Sequence, residues 1–86
     1  YLMDKEKEIQ RGLKAKEILD NPLFQEAIQK VSAELDHEWI NSPIRDTEGR
    51  ERIYMMKRML NVVLIQVKSV METGKLASTQ ENNNLK

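Results

Sequence analysis

The chain has 86 residues, no cysteine, and 14 basic against 14 acidic side chains, for a formal net charge of zero. That length allows one small domain whose folding buries only about 60% of the unfolded surface, and without cysteine neither disulfides nor thiolate metal sites can supplement its core. The charge balance gives no global attraction to nucleic acid or an anionic membrane, and no apolar run approaches the roughly 20 residues of a membrane span. Lys, Glu, Gln, Leu, Met and Ala dominate, with only three glycines and two prolines, which favours an all-α fold. No signal peptide is visible, and the absence of cysteine fits an intracellular or virion protein. The chain opens on Tyr1, which leaves a native start upstream open.

The first segment, Asp4 to Leu19, alternates acids and bases and carries few apolar residues: Ile9, Leu13, Ile18 and Leu19. It reads as a solvated helix, weakened at Gly12 by about 1 kcal/mol relative to Ala. Its thin apolar stripe implies weak docking or a need for another chain. "DNPLF" then stops and restarts the helix, with Asn21 as N-cap and Pro22 at the first helical position. A second helix is expected over 22–41, about 30 Å long, with Phe24, Ile28, Val31, Leu35 and Trp39 on one face and Ala27 beside them. Pro43 forces Ser42 out of the α region and ends it.

The charge-dense stretch "NSPIRDTEGRERIYMM" (Asn41–Met56) reads as a helix start. Asp46 or Thr47 is the cap, and Glu48 and Glu51 sit where the macrodipole favours acids. The third helix is expected over 47–73, about 40 Å long, ended by Gly74 as a left-handed C-cap with Lys75 near its negative end. Ile53, Met56, Leu60, Val63, Val67 and Val70 form a heptad-like seam widened by Leu64 and Met71, while Met55, Val62 and Ile65 point to the back. That is more apolar surface than one partner helix covers, so the first segment or another subunit must cover the rest. Residues 77–86, "ASTQENNNLK", read as a disordered polar tail. The expected architecture is therefore one domain over 1–76. It is an antiparallel helical hairpin (22–41 and 47–73) preceded by a charged helix (4–19), with Trp39 packing near Ile53 and Tyr54.

Few residues suggest chemistry. Glu34 and His37 form an E-x-x-H pair, but the di-iron bundles that use this spacing need further inward carboxylates, and His37, the sole histidine, falls off the apolar face. It reads as a solvated side chain. Ser32, Ser42, Ser69 and Ser78 lie in no nucleophile-elbow context, and the glycines form no phosphate loop. No enzyme, cofactor, metal or small molecule is expected. Arg50, Lys57 and Lys68, with Lys75, fall in one sector of the third helix and are candidate phosphate contacts, with Arg45, Arg11 and Lys14 extending the stripe. The alternative is that their stems cover the edge of a buried seam. The turns contain prolines and the third helix is too apolar to read a groove, so no helix-turn-helix is convincing. Met55, Met56 and Met59 suit either an adaptable interface or core filling, and both readings stay open.

Trp39 followed by "NSPIRDTEGRERIY" and then "METGKLA" resembles small helical proteins encoded among the structural and packaging genes of tailed bacteriophages and gene transfer agents. There a Trp precedes a Ser/Thr-Pro turn, an acidic, arginine-containing helix start follows, and Gly-Lys-Leu-Ala closes a long helix. The match spans about Leu19 to Ala77. These are turn and cap motifs, so the resemblance implies a virion-assembly context and brings no catalytic residue with it. The asparagine-rich tail has no counterpart in it. The expected role is a non-enzymatic structural or assembly protein, in the virion or the host cytoplasm, acting by association with itself or a larger phage protein. Trp39, Met55, Met59, Val62 and Ile65 are the expected interface residues. The alternatives are a nucleic-acid-binding packaging accessory of small-terminase type and an inhibitor that binds a host protein.

Overall fold

The computed structural model describes the backbone of residues 2–84 and the side chains of residues 4–81. It is all-α, with α1 (Leu2–Asp20), α2 (Pro22–Asn41) and α3 (Thr47–Asn84). The punctuation is local. Asn21 is held extended (φ −66°, ψ 121°), as a residue before proline prefers, and its side-chain oxygen accepts from the Leu23 and Phe24 amides at 2.9 and 3.2 Å. Ser42, before Pro43, is extended too (φ −70°, ψ 136°) and ends α2. Asp46 caps α3, accepting from the Gly49 amide at 3.0 Å, while its carbonyl takes the Arg50 amide at 3.0 Å.

The molecule is a rod of 61 × 24 × 17 Å. Its length matches the 38 residues of α3, about 57 Å, and its section has room for about two helices side by side. α1 and α2, joined through the single residue Asn21, therefore lie end to end as one broken arm along α3. Both run antiparallel to it, α2 along its N-terminal half and α1 along its C-terminal half.

The C-terminal half departs from expectation. Gly74 does not cap a helix: no glycine among the described residues has positive φ, and α3 continues through it to Asn84. Gly74 is instead where two backbones touch. A Cβ on it would lie 2.7 Å from the Gly12 Cα and 2.8 Å from the Glu8 carbonyl oxygen. A Cβ on Gly12 would lie 2.8 Å from the Gly74 Cα. One turn on, Ala15 and Ala77 are among the most buried residues, Ala77 at 2% exposure. The quartets "GLKA" (12–15) and "GKLA" (74–77) thus pair as two small-residue strips, which lets α1 dock far more closely than its thin apolar stripe implied. This docking also accounts for the second correction. Residues 77–84 are not a disordered tail but the last turns of α3, with Ala77 buried and Ser78 half-buried. The expected tail residues 85 and 86 lie outside the described residues.

In the N-terminal half Leu35 is the one buried side chain among the described residues, with Phe24, Ile28 and Trp39 half-buried on α2 and Ile53, Leu60, Leu64 and Val67 half-buried on α3. The inner seam of α3 follows the expected one at Ile53, Leu60, Leu64, Val67, Val70 and Met71, all half-buried, and departs from it at three positions. Met56 and Val63 are exposed, at 46% and 52%, and Lys57 is half-buried in their place. Its aliphatic stem lines the hairpin with Ile28, Leu35 and Leu64, and its ammonium reaches the Asp36 carboxylate at 2.8 Å.

Candidate functional site

Beside the α3 seam a second apolar stripe stays uncovered. Residues 55, 59, 62 and 63 fall within about 100° of one another on a helix of 3.6 residues per turn. Met55, Met56, Met59 and Val63 are roughly half exposed, and Val62 is 39% exposed. With Val31 and Leu35 of α2, Met55, Met56, Met59 and Val63 wall an open groove along the hairpin, whose only charged lining residue among the described residues is Arg52. The groove forms because the hairpin uses one flank of each helix against the other and has no third layer to close the adjoining flank.

The expected interface residues divide. Met55 and Met59 line the groove, and Val62 lies at its border on the same stripe. Ile65 is exposed but sits about 120° from Met59 around the helix, off the groove. Trp39 is occupied within the chain. The Arg50 guanidinium lies 4.1 Å from its ring centroid and donates to the Ser42 hydroxyl at 2.8 Å, while that hydroxyl donates to the Trp39 carbonyl at 2.6 Å. This clasp closes the hairpin turn, and its cation–π component contributes about 0.5–1 kcal/mol.

The candidate phosphate contacts Arg50, Lys57 and Lys68 share one sector of α3, on the flank away from the methionines. Arg50 is engaged in the turn clasp and Lys57 in the Asp36 ion pair, so of the three only Lys68 stands without a partner among the described residues. His37 is exposed, and the Asn41 side-chain amide donates to its carbonyl at 2.9 Å. No group of three or more His, Cys, Asp or Glu able to hold a metal occurs among the described residues, and no described helix is long and apolar enough to cross a membrane.

Two features escaped sequence reasoning. The paired Gly-Ala quartets carried a visible signal, the same small-residue spacing in both arms. Arg52 in the groove carried one too, since 52, 56, 59 and 63 step by four, three and four along one face of the helix. No protein-family model, curated protein or solved structure matches this chain.

Proposed function

We propose that this chain is a non-enzymatic helical assembly protein of a phage particle or its assembly pathway, acting by docking an apolar helix face on another subunit. The observation that carries the reading is the groove of Met55, Met56, Met59 and Val63. Solvated surfaces of small monomers seldom hold so many adjacent large apolar side chains, and flexible thioethers suit a surface that must adapt to a partner. The phage context rests on the resemblance of "NSPIRDTEGRERIY" and "METGKLA" alone. A nucleic-acid-binding role is less well supported, since two of its three cations already hold partners inside the hairpin.

Val62→Asp tests it. The substitution sets a charge at the border of the groove without touching the seam. Wild-type chain is expected to co-sediment with assembled particles, and the variant to move to the soluble fraction with unchanged far-UV circular dichroism. A wild-type chain found only free of particles would contradict the proposal.

A further inference from the structure

The chain exposes 7290 Å². A globular monomer of 10.1 kDa exposes roughly 5,300 Å², and the excess of roughly 2,000 Å² belongs to the rod shape as a whole, which offers a long side for pairing. A standard dimer removes about 800 Å² from each partner.

The charges beside the groove indicate what covers it. Arg52 lines it on the α3 side. Glu34 and Glu38 stand on the exposed flank of α2, one turn apart, both on the side of Val31 away from Leu35, with Lys30 beyond them. Arg52, Glu34 and Glu38 are in no ion pair among the described residues. A two-fold axis perpendicular to the helices would lay α2 on α2 and set acids against acids. A two-fold axis parallel to the helices lays α2 of each copy over α3 of the other, and sets Glu34 and Glu38 of one chain towards Arg52 of its mate, twice per assembly. A net charge of zero adds no general repulsion between copies.

We infer that the groove is the interface of a symmetric homodimer, in which two hairpins close into a four-helix bundle with the methionines at its centre. This rests on the reading above that the groove works by association, and it names the partner as a second copy of this chain.

The test uses the full chain, whose lack of cysteine makes single-cysteine variants clean. The wild type is expected to sediment at twice its 10.1 kDa. Met59→Cys should be captured as a dimer by a short bis-maleimide, and Lys68→Cys, on the opposite flank, should not. Arg52→Glu should weaken the dimer about tenfold, through loss of two exposed pairs and their replacement by like charges. Adding Glu34→Arg and Glu38→Arg to it should restore the dimer.

A wild type that stays at monomer mass at every concentration overturns the homodimer. So does a dimer captured in the Lys68→Cys variant and not in the Met59→Cys variant. Neither result bears on co-sedimentation with particles, so failure of the homodimer and failure of the assembly reading are separable.

Discussion

The two ends of the rod are built from the same parts, a pair of antiparallel helices, and solve the packing problem in opposite ways. Between α1 and α3 the contact is made by Gly12, Ala15, Gly74 and Ala77, and the backbones approach until nothing larger fits. Between α2 and α3 it is made by Phe24, Leu35, Trp39 and Leu60, whose bulk holds the helices further apart and leaves Met55, Met56 and Met59 beside an open groove. Small residues give a close backbone pair, with Leu13 and Leu76 left exposed at its edges. Large ones give a pair that still has a face to cover. The same helix α3 serves both, which explains why its apolar residues are too many for either partner.

The contrast can be broken most severely at the closed end. Gly74→Leu places a side chain into the Gly12 backbone and the Glu8 carbonyl, neither of which can rotate away. A cost of about 3 kcal/mol from overpacking outweighs the roughly 1 kcal/mol that leucine returns in helix propensity. Denaturant unfolding should show this loss together with reduced helicity as α1 detaches, and wild-type stability in the variant would mean that α1 does not dock there. At the open end Leu35→Ala removes the one large buried side chain and should cost about 2–3 kcal/mol in the same measurement, while leaving α1 on α3. The smallest effect is expected from Asp36→Ala. Its ion pair with Lys57 is 2.8 Å long but about half exposed on both sides, so a change of about 0.5 kcal/mol, shrinking in high salt, is expected from unfolding curves at two ionic strengths.

Much of the fold is legible where a side chain acts on its own backbone. Asn21, Pro22, Pro43 and Asp46 set the helix bounds by capping and by steric exclusion, and the helix expected over 22–41 is the one observed. Legibility fails where the deciding interaction is distant. A glycine followed by lysine near the end of an amphipathic run reads as a C-cap. Only the backbone of α1, some sixty positions earlier in the chain, turns Gly74 into a packing contact, and with it orders the turns beyond. The seam of α3 is misread from sequence at three positions. Heptad spacing brings Met56 and Val63 into the seam with Leu64, Val70 and Met71, and the charge of Lys57 argues against that residue alone. Its aliphatic stem lines the hairpin all the same, with the ammonium at the exposed edge beside Asp36, and Met56 and Val63 face the groove. Periodicity alone places Met55, Met59 and Val62 on the uncovered side, whereas only the turn clasp and the true orientation of α3 set Trp39 and Ile65 apart from them.

The methionines offer a direct comparison of the two kinds of packing within one helix. Met55, Met56 and Met59 face the groove, and Met71 lies half-buried in the strip against α1. With methyl-labelled methionine, the NMR signals of the full chain can be followed over a dilution series after assignment by single substitution. The expected result is that the signals of Met55, Met56 and Met59 move with concentration while that of Met71 stays fixed. Groove signals that stay fixed while Met71 moves would place the associating surface at the closed end and contradict the division of labour along α3.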